Sequence, residues 1–189
     1  MKIYDFNNCP ENDNDYGGNA GRKLGIVFEK ENWILKFPNS TAGYRNVKIS
    51  YTTSPLSEYI GSHIYEILGI PVHETLLGIK DERVVVACKD FLKRTDRFKD
   101  FKSIKNRYNR SLQHLVDSET SGSGDGTRLD IVLAVIDSNK ELNEIPNVKE
   151  RFWDMFVIDA IINNNDRNNG NWGIIIHEDN SKELAPNTI

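Results

Sequence analysis

Residues 153–176, WDMFVIDAIINNNDRNNGNWGIII, decide the fold. Trp153, Phe156, Val157, Ala160 and Ile161 recur at helical spacing and predict one apolar helix face. Residues 163–171 (NNNDRNNGN) break that period with types that favour turns. Residues 172–176 (WGIII) form a short apolar run rich in β-branched side chains, the pattern of a buried strand. A helix thus delivers a dense polar loop to the head of a strand, and loops held by rigid elements are where chemistry concentrates. Inside the loop Asp166 and Asn171 stand at D-x-x-x-x-N spacing. In a kinase catalytic loop that spacing supplies an Asp to take the substrate hydroxyl proton and an Asn to hold Mg²⁺. The same residues also suit an Asn-rich surface turn with an Asx cap, so the decision passes to the rest of the chain.

Working towards the N-terminus, residues 129–136 have helical apolar spacing, and residues 137–146 are a polar connection. Residues 118–127 (SETSGSGDGT) read as a Ser/Gly-rich linker or a mobile segment beside a site. Residues 99–110 carry Lys99, Lys102, Lys105, Arg107 and Arg110. A solvated helix face accounts for such a run, with docking of an acidic partner or nucleic acid as the alternative. Further back, residues 72–79 and 83–88 form a hairpin around Lys80-Asp81-Glu82, and Lys89, Asp90 and Phe91 follow it directly.

Ser54-Pro55 predicts a helix start, with Ser as N-cap and Pro at the first helical position. Leu56, Tyr59, Ile60, His63, Ile64, Ile67 and Leu68 continue it, and Gly69 and Pro71 end it. Glu58 lies in its first turn, where it can complement the helix dipole or orient a lysine. His63 is expected to pack at the edge of the apolar face. Two strands precede this helix, ending in residues 33–37 (WILKF), and residues 16–25 (YGGNAGRKLG) lead into the first of them. Glycines there would let backbone N–H groups approach an anion, or would simply give a flexible loop. Alternation places Ile34 and Lys36 on one face and Trp33, Leu35 and Phe37 on the other. Lys36 either meets water or aims its ammonium at a ligand.

The totals set bounds. The 189 residues suit one domain or two small lobes, and a net charge of −4 supplies no global field for nucleic acid, which is not expected as a partner. Cys9 and Cys88 are the only cysteines, so a disulfide framework is not expected and a reducing compartment fits. No apolar run approaches a membrane span, and the first residues lack the apolar centre of a signal peptide. A cytoplasmic location without membrane partners is the expectation.

Taken in order, YGGNAGRKLGIVF, WILKFP, SEYIGSHIYEILGIPVHE, VACKDFLKRTDR, SETSGSGDG and FWDMFVIDAIINNNDRNNGNWGIII followed by ELAP resemble the HipA-like serine/threonine kinases, including their CtkA-type branch. The resemblance runs from about Tyr16 onward. It implies an α/β (α+β), two-lobed protein-kinase-like fold with ATP in the cleft. Residues 1–91 would be a β-rich nucleotide-binding lobe and residues 92–189 a partial C-terminal lobe with the catalytic loop. Carried over by position, Gly17, Gly18, Asn19, Ala20, Gly21 and Arg22 would cover the phosphates and Lys36 would contact them. Glu58 would steady Lys36. Lys89, Asp90 and Phe91 would lie beside the adenine, Asp166 would be the catalytic base, and Asn171 would hold Mg²⁺.

The implied activity is ATP-dependent transfer of the γ-phosphate to a serine or threonine hydroxyl of a protein. Family members include toxins, and delivery to a host cell is the alternative to a cytoplasmic role. The chain also departs from the family. In the family a second metal-binding Asp follows the strand after the catalytic loop, in a stretch resembling L-x-P-x-x-D. Here Leu184, Ala185 and Pro186 lead to Asn187, Thr188 and Ile189. Asn168 stands where the family often has His, and residues 16–22 lack the serine some members autophosphorylate. The resemblance therefore implies a kinase truncated before its last helices, with apolar faces of residues 129–136 and 153–162 uncovered and suited to a partner chain. A non-catalytic nucleotide- or protein-binding module is the alternative, and a small-molecule phosphotransferase a weaker third.

Overall fold

The computed structural model describes residues 2–14, 22–43, 50–111 and 128–189. The glycine-rich stretch from Gly17 to Gly21 and the Ser/Gly segment 118–127 lie outside the described residues. The chain divides into two compact units, Met1–Phe91 and Leu92–Ile189.

The first unit is built on a five-stranded sheet. Its strands are β1 (Tyr4–Asp5), β2 (Lys23–Phe28), β3 (Glu31–Lys36), β4 (Thr75–Lys80) and β5 (Arg83–Lys89), in the order β1-β4-β5-β3-β2. β1 runs parallel to β4, and the other pairs are antiparallel. Both hairpins turn through two residues at positive φ, Glu29 and Lys30 in one and Asp81 and Glu82 in the other. That backbone matches the right-handed twist of the strands, which is why it persists without glycine. Gly78 in β4 has no such freedom in size. A Cβ there would overlap the Phe6 ring and the Tyr4 carbonyl.

One sheet face carries Trp33, Leu35 and Phe37, which bury against Phe6, Ile26, Val85 and Ala87. The alternation predicted for β3 is present. Its opposite face, with Lys36 paired to Val86 and Ile34 to Cys88, lies on the side of helix α1 (Ser54–Ile67). Thr53 is the N-cap of α1 and Pro55 sits in its first turn, while Gly69, at φ 72°, follows its C-terminus. Ser54 is therefore the first helical residue rather than the cap.

The buried side of α1 differs from the predicted stripe. Pro55, Gly61, Ser62 and Tyr65 are buried, whereas Ile60, Ile67 and Leu68 are more than half exposed. Small and polar side chains face the sheet because the helix approaches it closely there, as the 2.5 Å contact between Ser62 Oγ and Thr75 Oγ1 records. His63 is half-buried and packs on Tyr59, with ring centroids 4.0 Å apart.

The second unit has the antiparallel sheet β6 (Arg97–Asp100), β7 (Gly173–Ile176) and β8 (Lys182–Leu184), in the order β6-β7-β8. Its helices are α2 (Phe101–Ser111), α3 (Leu129–Ser138), α4 (Lys140–Asn143) and α5 (Val148–Ile162). The core stacks Phe101 on Trp172 at 4.1 Å, with Phe152 and Met155 of α5 and Val132 and Val135 of α3 around them. Gly173 is required where β7 meets β6, since a Cβ would overlap the Lys99 carbonyl.

Several expectations change here. The connection 137–146 contains α4, capped by Asn139 Oδ1, which accepts from the N–H groups of Glu141 and Leu142. β6 and β8 are too short to show alternation and were not anticipated. The basic stretch is not a uniformly solvated helix face: Lys99 belongs to β6 and pairs with Glu141, and Lys105 of α2 is fully buried. The apolar face of α3 is covered, because Val132, Val135 and Ile136 are in the core.

On α5 the predicted face is the outward one. Trp153, Phe156, Val157 and Ile161 are exposed, while Val148, Phe152, Met155, Ile158 and Asp159 are buried. Apolar side chains lie on both the exposed and the buried sides of the helix, so periodicity alone could not choose the inner one. Among the described residues, no helix is long and apolar enough to cross a membrane.

Candidate active site

Lys36, Glu58, Asp166 and Asn171, four of the predicted site residues, lie in two polar clusters, one in each unit. In the first, β3 brings Lys36 and α1 brings Glu58 to the same side of the sheet. Lys36 Nζ donates a hydrogen bond to Glu58 Oε1 and forms an ion pair with it. The same carboxylate oxygen accepts from Cys88 Sγ at 3.3 Å and lies 3.7 Å from His73 Nε2. Burial disfavours the Lys36 charge, but the negative charge that Cys88 and Glu58 can carry, with the hydrogen bond to Glu58, outweighs this and raises its pKa above the ordinary lysine value. Burial, then the Glu58 charge, push the Cys88 thiol well above its usual range. Cys88 is thus a neutral S–H donor near neutral pH, and Glu58 is the group that holds Lys36 charged.

Arg22 is exposed, stacks on the Phe37 ring at 4.4 Å and reaches Asp81 at 3.7 Å. Lys89 ends β5 and pairs with Glu31 at 3.4 Å and Glu74 at 3.7 Å. The Asp90 N–H donates to the Asn32 carbonyl, and Phe91 is half-buried.

The second cluster is the loop after α5. Asn163 ends the helix in the left-handed region, at φ 55°. Asp159, buried on the inner side of α5, accepts Arg167 Nε at 2.5 Å and Arg167 Nη2 at 3.1 Å, a two-pronged pair. Asn164 Nδ2 donates to the same carboxylate at 2.9 Å. Arg167 Nη1 also donates to the Asn171 carbonyl at 3.2 Å, and Thr188 Oγ1 donates to that carbonyl at 2.9 Å. The Lys102 N–H donates to the Asn169 carbonyl and the Phe101 N–H to that of Trp172, tying the loop to α2.

Within this frame Asp166 is exposed. Its backbone carbonyl accepts Asn171 Nδ2 at 3.0 Å and Asn168 Nδ2 at 3.2 Å. A carbonyl can only accept, so the Asn171 amide must present its NH₂ to Asp166. The Asn171 Oδ1 is thereby left on the other side of the amide, an oxygen donor of the kind that hard cations take. Lys36 and Glu58 come together in one unit, and Asp166 and Asn171 come together in the other.

The sequence reading missed His73 and Cys88 beside Glu58, and Asp159, Asn164 and Arg167 beneath the loop. A single carboxylate in the apolar run 155–162, seven residues before Asp166, was the available signal for Asp159.

No protein-family model matches the chain. The serine/threonine-protein kinase CtkA of Helicobacter pylori (strain J99) is 39% identical to it over 98% of this chain and 54% of that protein. A crystal structure of a Helicobacter pylori proinflammatory kinase CtkA matches it with a TM-score of 0.82 at 36% identity, covering 99% of this chain and 60% of that one. The chain spans about half the length of the curated relative it matches. By sequence and by fold, these residues are homologous to the CtkA serine/threonine-protein kinase and carry the kinase-like α/β fold of the part they match.

Proposed function

We propose that the chain carries the nucleotide-contacting and base-supplying parts of an ATP-dependent protein serine/threonine kinase of HipA-like type. The observation that carries the reading is the Lys36–Glu58 pair. A partly buried ion pair adds little stability over an apolar replacement, so its presence between β3 and α1 calls for a use. Holding an ammonium charged and fixed to meet phosphate oxygens is such a use. Similarity to CtkA supports the same reading.

The residues fit the groups the reaction needs. Lys36 would hold phosphate oxygens, with Arg22 and the glycines Gly17, Gly18 and Gly21 over them, and Lys89, Asp90 and Phe91 would flank the adenine. Asn171 Oδ1 would hold Mg²⁺, which when bound neutralises charge on the β- and γ-phosphates. Asp166 would accept the proton of a serine or threonine hydroxyl on a protein substrate, its backbone fixed through Asn171 and its loop through Asp159 and Arg167. The test is Mg²⁺-dependent transfer of labelled phosphate from ATP to an acceptor protein, with phosphoserine and phosphothreonine identified in the product. Transfer abolished in both Lys36→Ala and Asp166→Asn is the expected result. ATP binding reduced in Lys36→Ala, with no transfer by the unmutated chain, would instead select the non-catalytic nucleotide-binding module.

A further inference from the structure

Three groups converge on the Lys36–Glu58 pair that phosphate binding does not use together: the Glu58 carboxylate, the His73 imidazole and the Cys88 thiol. Each offers one ligand atom, and the three atoms lie within 4.8 Å of one another. Glu58 Oε1 is 3.3 Å from Cys88 Sγ and 3.7 Å from His73 Nε2. A tetrahedral zinc ion with bonds of about 2.0–2.3 Å sets its ligand atoms roughly 3.3–3.8 Å apart. Two of the three separations are already those of a zinc site, and the third is no more than 4.8 Å. His73 and Cys88 are both buried; Cys88 lies within β5, Glu58 on α1 and His73 two residues before β4.

We propose that Glu58, His73 and Cys88 form a binding site for zinc or a similar borderline-soft divalent cation, mutually exclusive with the Lys36–Glu58 ion pair. Ligand chemistry sets the choice of metal. Thiolate, imidazole and carboxylate together select zinc or cobalt, whereas magnesium prefers an all-oxygen shell. Binding forms a metal–sulfur bond at Cys88 and releases the thiol proton to solvent. The metal takes the Glu58 oxygen that accepts from Lys36, and the Lys36 ammonium, on a side chain still about one-quarter exposed, moves outward. A water would complete the tetrahedron. If the kinase reading holds, occupancy also takes Lys36 out of its phosphate-binding pose, so zinc would inhibit at this point. The site itself does not depend on that reading.

The test is titration of cobalt(II) into the full chain without nucleotide, read by the thiolate-to-cobalt charge-transfer absorption in the near ultraviolet. A band that saturates at one cobalt per chain is expected, retained in Cys9→Ser and absent in Cys88→Ser. His73→Gln should weaken binding at least about tenfold, since even partners behind a metal ligand are worth that much. Lys36→Met should tighten binding, because it removes the competing cation, and a merely structural role for the cluster would not produce that gain. No band in the unmutated chain, a band that follows Cys9 instead of Cys88, or weaker binding in Lys36→Met would each overturn the proposal. The Cys9→Ser and Lys36→Met arms decide the matter even if Cys88→Ser or His73→Gln fails to fold.

Discussion

The two polar clusters are assembled in opposite ways. The Lys36 cluster gathers four side chains spread from residue 36 to residue 88, on two strands, a helix and the approach to a third strand. The Asp166 cluster is local: Asp159, Asn164, Arg167 and Asn171 span thirteen positions on a helix end and its loop. The first depends on sheet register and on how close α1 lies to the sheet. The second depends on one helix ending where Asp159 can hold the returning chain. A distributed cluster can be lost by a shift of any one element, while a local one is lost by removing its anchor.

That contrast is broken most sharply at Asp166 and Asp159. In any form of the chain that transfers phosphate, Asp166→Asn should lower the rate by about 10²–10⁴-fold, the usual contribution of a general base. It should leave denaturant unfolding unchanged, because the side chain is exposed and Asn suits the same turn. Unchanged transfer would remove Asp166 from the chemistry and leave it a turn residue. Asp159→Asn should do the reverse of a catalytic mutation. It strands the Arg167 guanidinium, whose side chain is 12% exposed, without its counter-charge, and should cost about 3–5 kcal/mol of unfolding free energy. A loss under about 1 kcal/mol, the range of surface pairs, would show that the loop does not depend on this anchor.

The same contrast explains what was legible in the sequence. Loop chemistry between residues 163 and 171 could be read because its partners are neighbours in the chain, and D-x-x-x-x-N is a local pattern. Lys36 and Glu58 could be named, but only the resemblance to kinases joined them, since nothing local links residue 36 to residue 58. His73 and Cys88 carried no pattern at all. The helix faces failed for one physical reason. α1 and α5 have apolar side chains outside as well as inside, so the hydrophobic stripe no longer marks the buried side. On both helices a carboxylate, Glu58 or Asp159, points inward to a cation, which hydropathy scores as an outward residue.

Glu58→Gln sharpens the comparison at lower cost. It keeps the shape and an oxygen for the Cys88 thiol but removes the charge that holds Lys36. Lys36 is more exposed than Arg167, so solvent screens it more, and about 1–3 kcal/mol of destabilisation is expected in a denaturant titration. ATP affinity should fall in the same variant, whereas Asp159→Asn should leave it intact in whatever fraction remains folded. Equal ATP affinity in Glu58→Gln and the unmutated chain would deny Glu58 its orienting role.

The smallest expected effect is a pH dependence in the second unit. His177 follows β7, and its Nδ1 lies 3.1 Å from Asp96 Oδ1, just before β6, while Nε2 lies 3.3 Å from Glu183 Oε1. The hydrogen bond to Asp96, helped by the charges of Asp96 and Glu183 against partial desolvation, raises the His177 pKa, and the bond to His177 likewise lowers that of Asp96. A raised histidine pKa stabilises the fold fully below the unfolded value of about 6.5 and loses that contribution as pH rises through the folded value. A depressed aspartate pKa stabilises above its unfolded value of about 3.9 and loses that contribution as pH falls through the folded one. The pair therefore contributes most between roughly pH 4 and 6.5 and fades as pH rises from there through the folded His177 value. His177→Gln keeps a hydrogen-bonding side chain without the titration, so it should flatten the decline of unfolding free energy from about pH 6 to pH 8. An identical slope in the variant would mean that His177 binds its proton as weakly folded as unfolded, and that the β6–β7 edge is held by its backbone ladder alone.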